Sequence, residues 1–327
     1  MNKKNKVFIL YCLVILLVIA VTMSILAGCR KSSSSLQEDP ASLAEKKITQ
    51  YSNPEAVISV SELNNTLNDS NLVILDARYA NARAIRESND GQIPGAISIL
   101  RSHYQDPARW NSVAPPNYIQ RYFREIGIDN YSKIVIYGND NGLQGRLYWM
   151  LKMYGIDNEI KILDGGFEKW KEADYQSASP KTKRSPSSFE FNTIKADENM
   201  KTNLKDIGEI LASNNPNNII VDARNNNEFS SGHIPSSVNI SVDDILNEDK
   251  TFKTAKELDA IFTQKGVTPD KNVFVYCHDG SRSSLTWYVL HELMGYPNVK
   301  NYDGGFKEWK YRERPIEKGA PNTVTPA

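Results

Sequence analysis

Apolar positions along this chain follow two rhythms, after an opening run of a third kind. From Val7 to Ile25 the residues are uncharged and nearly all apolar. Further on, apolar residues come in short runs bounded by polar ones, as in Ile134 to Tyr137, Ile219 to Val221 and Val273 to Tyr276. A short unbroken apolar run between polar flanks is the pattern of a strand buried on both faces. Between these runs lie stretches with helical spacing. Ser283 to Met294 places Leu285, Tyr288, Val289 and Leu293 on one face before Gly295 stops it, and Lys256 to Lys265 ends before Gly266. Strands alternating with helices predict an α/β fold on a mainly parallel sheet flanked by helices.

The chain repeats its motifs. Leu75-Asp76-Ala77-Arg78 returns as Val221-Asp222-Ala223-Arg224, and Gly91-Gln92-Ile93-Pro94 as Gly232-His233-Ile234-Pro235. Ile134-Val135-Ile136-Tyr137 returns as Val273-Phe274-Val275-Tyr276, and Asp164-Gly165-Gly166-Phe167 with Trp170 as Asp303-Gly304-Gly305-Phe306 with Trp309. The offset falls from 146 at the first pair to 139 at the last two, far longer than a solenoid repeat, so the repeat is a duplicated domain. The boundaries read as 51–175 and 189–318, joined by a linker at 176–188 rich in serine and containing Pro180 and Pro186, with a tail at 319–327.

The opening run changes the picture of location. Three lysines precede it, and Leu26-Ala27-Gly28-Cys29 follows it. A basic start, an apolar core and a small-residue site make a secretory signal. The four residues resemble the bacterial lipobox, which implies a signal peptide at 1–28 and lipidation at Cys29. An uncleaved helical anchor is the competing reading, since about 19 apolar residues span a bilayer. Residues 29–50, with Ser32 to Ser35, read as a tether. Either way the folded part is expected at the cell membrane on its extracytoplasmic side, and in the lipobox reading it is lipid-anchored there.

Composition excludes several classes. The 39 Lys+Arg balance 39 Asp+Glu, which gives no electrostatic reason to expect nucleic acid. Three cysteines are too few for a disulfide scaffold or a multi-cysteine zinc module. His103 and His291 have no ligand spacing to each other or to Cys277, so no metal is predicted, and no feature calls for a cofactor. The aromatic residues need no nucleic-acid partner, and the two domains supply a complete cleft, so a monomer is expected.

With Cys12 in the signal and Cys29 lipidated, Cys277 stands alone. It follows the strand Val273 to Tyr276 and opens the loop Cys277-His278-Asp279-Gly280-Ser281-Arg282 before a helix. Ligands in open α/β sheets bind at the carboxyl ends of strands. A helix N-terminus carries unpaired N–H groups and about half a positive charge, which favours thiolate over thiol. Gly280 lets the loop turn its amides inward as an anion cradle, and Arg282 adds a cation for an oxyanion or a charged sulfur intermediate. The alternative for a lone cysteine is a small buried hydrophobe. His278 reads as lining the loop, His233 as a turn residue, and Trp170 and Trp309 as packing. Asp222 reads as a carboxylate fixing backbone amides, with Arg224 as its ion-pair partner.

These motifs, in this order and in duplicate from about Pro54 to Ile316, resemble a tandem rhodanese. The resemblance implies two rhodanese-like domains, the first inactive and the second a sulfurtransferase. Cys277 would take sulfane sulfur from thiosulfate or a similar donor, become a persulfide, and pass the sulfur to a thiophilic acceptor such as cyanide or a thiol. The cradle would be His278 to Arg282, with Asp222 and Arg224 supporting it from behind. In the first copy Gly138 stands for the cysteine and Leu143 for the arginine, so that copy is expected to form one wall of the cleft. Two residues depart from thiosulfate-using tandem members: Asp279 and Glu228 stand where those carry basic residues. The Cys-Gly-x-Gly loop of the mercaptopyruvate branch is not matched at His278. Two other functions compete. One is a membrane-tethered sulfur-relay or binding module without turnover. The other is a cysteine phosphatase or arsenate reductase, whose Cys-x5-Arg loop is one residue longer than Cys277 to Arg282.

Overall fold

The computed structural model describes residues 39–87, 91–106, 108–109, 112–139, 142–179 and 184–319. The apolar run from Val7, Cys29, Pro180 and residues 320–327 of the expected tail lie outside them. Among the described residues no helix is long and apolar enough to cross a membrane.

The first copy contains α1 (Pro40–Ile48), β1 (Val57–Ile58), α2 (Val60–Thr66), β2 (Leu72–Asp76), α3 (Ala82–Glu87), β3 (Ile97–Ser98), α4 (Pro116–Glu125), β4 (Lys133–Tyr137), α5 (Leu143–Met153), β5 (Ile160–Leu163) and α6 (Gly166–Glu172). The second contains β6 (Lys201–Thr202), α7 (Leu204–Ser213), β7 (Asn218–Asp222), α8 (Asn226–Ser231), β8 (Val238–Asn239), α9 (Ala255–Gln264), β9 (Asn272–Tyr276), α10 (Ser281–Tyr288), β10 (Val299–Tyr302) and α11 (Gly305–Tyr311). Each copy folds its strands into a five-stranded parallel sheet, in the orders β1-β5-β4-β2-β3 and β6-β10-β9-β7-β8. The registers agree: Asp76 lies opposite Tyr137 in the first sheet, and Asp222 opposite Tyr276 in the second. The predicted α/β fold is the observed one.

Capping residues set several helix starts. Asn203 and Thr254 each accept an N-terminal amide of α7 and α9, and Asp206 and Glu257 bond back to them. The predicted helix over Ser283–Met294 begins two residues earlier, at Ser281, and changes at Val289 into a π-helical turn through Leu293.

The segment between the copies is not a free spacer. Phe189 is buried against Phe123 and Phe191, and Arg124 Nε donates to the Phe189 carbonyl at 2.8 Å. Asn192 N–H reaches Gly155 O and Asp197 N–H reaches Met153 O, at 3.0 and 2.9 Å. Residues 184–200 thus pack on the first copy. The second sheet begins at Lys201, and residues 189–200, placed by the sequence in the second domain, pack instead on the first, with Phe189 against Phe123 and Phe191 against Tyr154.

One apolar core passes through both copies, where α5 meets α10. A Cβ on Gly145 would lie 2.5 Å from the Leu285 Cα, so only glycine permits this approach. Tyr148 and Tyr288 meet edge to face, with ring centroids 4.8 Å apart. The Asp-Gly-Gly-Phe motifs reach across the junction reciprocally: Asp164 accepts from Phe252 N–H at 2.7 Å, and Asp303 accepts from Val113 N–H at 2.8 Å.

Candidate active site

Most of the repeated motifs are one scaffold, built twice. In the second copy Asp222 accepts from the backbone and side chain of Arg224, whose Nη2 also donates to Gly232 O at 2.7 Å. The guanidinium lies 4.0 Å from the Phe306 ring centroid. Tyr276 accepts Ile234 N–H through its hydroxyl at 3.0 Å. Every one of these has its counterpart in the first copy: Arg78 with Asp76, Gly91 O at 2.8 Å, the Phe167 ring at 4.3 Å, and Tyr137 with Ile93. Asp-Ala-Arg therefore ties the end of a central strand to Gly-x-Ile-Pro and Asp-Gly-Gly-Phe. Burial is complete enough that the Tyr276 hydroxyl is pushed well above its ordinary pKa, with the Asp222 charge adding to the effect. His233 stacks on Phe229 and shares a hydrogen bond with its carbonyl, and the indole N–H groups of Trp170 and Trp309 donate to Gln176 O and Pro315 O.

On this scaffold sits Cys277, directly after β9, with no exposed surface. The start of α11 grips the loop from outside, Phe306 N–H bonding Cys277 O at 2.8 Å and Lys307 N–H bonding His278 O at 2.9 Å. Gly305 has φ +61°, and a Cβ there would lie 2.7 Å from His278 O. Gly280, at φ +84°, turns the chain into α10 and serves as its N-cap. With the carbonyls of Cys277 and His278 held on one side, the amides from His278 to Arg282 have no acceptor among the described residues. Ser283 Oγ lies 3.5 Å from Cys277 Sγ, and Ser284 Oγ holds Gly280 O at 2.6 Å.

The charged residues are arranged differently from the expectation. Arg282 is not a cation held in reserve: both its terminal nitrogens donate to Glu228, at 2.6 and 2.9 Å. The hydrogen bond from Arg282 holds the Glu228 carboxyl below its ordinary pKa. Asp279 is paired across the junction with Arg101 of the first copy at 2.7 Å. Burial pushes its carboxyl up, but the charges and bonds of Arg101, then Arg146 and His278, more than offset this and leave it below the ordinary range. Arg146, also from the first copy and wholly buried, donates to Asp279 O at 3.1 Å and pairs with Asp303 at 2.7 Å. Sequence reasoning missed Arg101 and Arg146. Arg146 gave one signal, a cation within the largely apolar stretch from Leu143 to Met153, whose other cation, Lys152, lies in the last turn; Arg101 gave none.

The first copy's loop departs further than expected. From Gly138 to the helix-capping Gly142 is one residue more than from Cys277 to Gly280. Counted from the capping glycines, Gln144 and not Leu143 occupies the place of Arg282. A Cβ at Gly138 would collide with the Gln144 side chain. The π-helical turn at Val289–Leu293 takes up the difference, since β5 and β10 follow their capping glycines by 18 and 19 residues.

Two parallel α/β domains, with a cysteine loop on one and a blank loop on the other, define a duplicated domain of the rhodanese type. The rhodanese-like domain model matches twice, at residues 59–173 and 205–312, and the chain belongs to that family. It is 34% identical over 249 residues to a protein of Mycolicibacterium smegmatis named "Putative thiosulfate sulfurtransferase", covering 70% of this chain and 87% of that one. It is 30% identical over 280 residues to the sulfur carrier protein TtuD of Thermus thermophilus, covering 79% and 95%. Its fold is similar to that of an anaerobic ergothioneine biosynthesis enzyme from Chlorobium limicola, at TM-score 0.71 and 23% identity over 83% of this chain and 72% of the other.

Proposed function

We propose that the second copy is a sulfurtransferase site in which Cys277 carries the sulfur as a persulfide. The observation that carries this reading is the loop around Cys277, where successive amides with no acceptor among the described residues begin a helix. Such a ring of N–H groups suits a negatively charged sulfur, on the donor before transfer and on the persulfide after it. With thiosulfate, the Cys277 thiolate attacks the outer sulfur. A Sγ–S bond forms, the donor's S–S bond breaks, and sulfite leaves with the electron pair. Cyanide or a thiolate then takes the outer sulfur and restores the Cys277 thiolate. The names carried by relatives support sulfur transfer as the class of reaction.

Arg282, His278, Asp279, Gly280 and Ser281 make the cradle in this reading, while Asp222 and Arg224 hold its base. Cys-x4-Arg leaves the phosphatase reading without the longer loop it needs. Intact mass of the full chain after thiosulfate tests the proposal. One added sulfur atom, absent in Cys277→Ala and removed by cyanide, is expected. No added sulfur from thiosulfate, mercaptopyruvate or an alkyl persulfide would sink it. Sulfur that loads but leaves only to a protein thiol would mark the relay module. We further propose that Cys29 is lipidated and anchors the protein on the extracytoplasmic side; palmitate labelling lost in Cys29→Ala is the expected result.

A further inference from the structure

Three carboxylates stand by the Cys277 loop, each answered by an arginine, and two of them, Glu228 and Asp279, differ in where that arginine comes from. Glu228 takes Arg282, from the loop's own helix. Asp279 takes Arg101, which belongs to the copy without a thiol. Arg101 holds the loop at two points, Nη1 on Asp279 Oδ2 at 2.7 Å and Nη2 on Asp279 O at 3.2 Å. Its own backbone is fixed by the short helical turn Arg101–His103 and by a 3.3 Å bond from its N–H to Tyr79 O. Its Nε is buried and has no acceptor, so the guanidinium is committed to Asp279 and to nothing else among the described residues.

The charges at the loop consequently cancel in pairs: Asp279 with Arg101, Glu228 with Arg282, and Asp303 with Arg146. What remains to attract an anion is the ring of amides and the helix end, about half a unit charge. Such a site holds one negative charge more readily than two. Two of the pairs keep some exposure, Asp279–Arg101 and Glu228–Arg282, while Arg146 keeps none, and of those two only the Asp279 pair joins the loop to the other copy.

We propose that Arg101 is a specificity-determining residue of the Cys277 site, setting through Asp279 how much negative charge a sulfur donor can bring to the loop. The proposal rests on the sulfur-transfer reading above for its reaction. It names the favoured donor class as low-charge persulfides, R–S–S⁻, over the thiosulfate dianion. With such a donor the Cys277 thiolate attacks the outer sulfur, a Sγ–S bond forms, the donor's S–S bond breaks, and RS⁻ leaves with the electron pair, so no external oxidant is needed. Removing Arg101 leaves Asp279 uncompensated and repels a dianion most. Neutralising Asp279 releases Arg101 toward the donor.

The test is a double-mutant cycle on the full chain with Arg101→Gln, Asp279→Asn and both together. Thiosulfate and a singly charged alkyl persulfide serve as donors. Arg101→Gln is expected to raise the thiosulfate KM about tenfold with kcat changed less than about twofold, as loss of a charge partner does. Asp279→Asn is expected to lower that KM about tenfold, and the double variant to return within about threefold of the wild type. Persulfide KM is expected to move less than about threefold throughout, and Arg101→Lys to recover part of the loss. If both single variants weaken both donors alike, or if Asp279→Asn fails to tighten thiosulfate, the pair is only a structural tie and the proposal falls. Thermal unfolding of each variant separates misfolding from these outcomes.

The same cycle read as thiosulfate Kd by calorimetry in a Cys277→Ala background needs no sulfur transfer. A wild type that loads sulfur from no donor defeats the transfer reading alone. A Kd unmoved by Arg101→Gln and Asp279→Asn, or no measurable binding in Asp279→Asn, defeats the role of Arg101.

Discussion

The loop after β4 and the loop after β9 begin from the same scaffold and end in different chemistry. Below both lies a carboxylate–arginine pair bonded to a glycine carbonyl and stacked on a phenylalanine. Above it, one copy presents Cys277 with amides that have no acceptor among the described residues, and the other presents Gly138 with Gln144 filling the space where a side chain would go. The duplicated motifs therefore report the fold, and the unduplicated residues report the function. The blank copy is still part of the site, since it supplies Arg101 and Arg146 to the other's loop.

The comparison breaks most sharply if the thiol is moved. Cys277→Ala is expected to abolish sulfur loading and lower turnover by at least about 1000-fold, as loss of a covalent nucleophile does. Gly138→Cys, in turn, is expected to gain no sulfur, because its side chain meets Gln144 and its loop is one residue longer. Intact mass of both variants after thiosulfate or an alkyl persulfide gives the answer. A sulfur on residue 138 would mean that the two loops differ only in the cysteine.

The scaffold itself should be indifferent to which copy it serves. Asp222→Ala and Asp76→Ala each remove the carboxylate paired with a buried arginine, which costs about 3–5 kcal/mol of stability. Urea unfolding is expected to give similar losses for the two. Activity per folded molecule should fall in Asp222→Ala well before it falls in Asp76→Ala, because Ala223 N–H bonds the carbonyl of Tyr276, next to Cys277. Equal loss of activity in both would assign Asp222 and Arg224 no special place behind the site.

Much of this was readable in the sequence, for reasons that differ by residue. Buried strands announce themselves because both faces are apolar, so Val273 to Tyr276 located Cys277 at a strand end. The loop's amide cradle followed from Gly280 and the helix after it. The trans partners did not follow, since Arg101 and Arg146 meet Asp279 only after two separate domains have docked. Nor did the equivalence of Gln144 and Arg282, because the extra loop residue in one copy is cancelled by a π-helical turn in the other, leaving the flanking motifs at a constant offset.

Glycines at the junction sharpen the claim that the blank copy shapes the active one. Gly280 has φ +84°, and a Cβ there would lie 2.7 Å from Asp303 O and collide with Arg146. Gly280→Ala is expected to cost about 1–3 kcal/mol, from the left-handed backbone and the displaced arginine. Gly142, in the other copy, has φ +77°, and its Cβ would lie 2.6 Å from Ser281 O and 2.8 Å from Arg282 Cα. Gly142→Ala should therefore cost a similar amount and also raise KM at a site to which it contributes no side chain. Steady-state kinetics beside urea unfolding decides this; a normal KM would confine the first copy to support.

The smallest effect concerns acid. Burial raises the Asp279 carboxyl, but Arg101 and Arg146 outweigh it, and Arg282 holds Glu228 down, so both folded pKa values lie below the ordinary ones. A carboxylate so depressed contributes stability that is fully present above its unfolded pKa, near 4, and lost as pH falls through the folded value. The first copy has Ala82 at the place of Glu228 by the Asp-Ala-Arg offset, so this acid sensitivity should belong to the second loop. Between pH 5 and 8 the wild type should melt above the Asp279→Asn, Glu228→Gln double variant by a steady margin of about 2–4 °C for each kcal/mol the pairs contribute. Between about pH 4 and 2.5 that margin should close, because the wild type loses by protonation what the variant has already lost by substitution. Both pairs are partly exposed, so the margin is expected to be modest and to shrink with salt. A margin that persists to the lowest pH would show that these carboxylates act through packing and hydrogen bonding, and that charge is not what distinguishes the two loops.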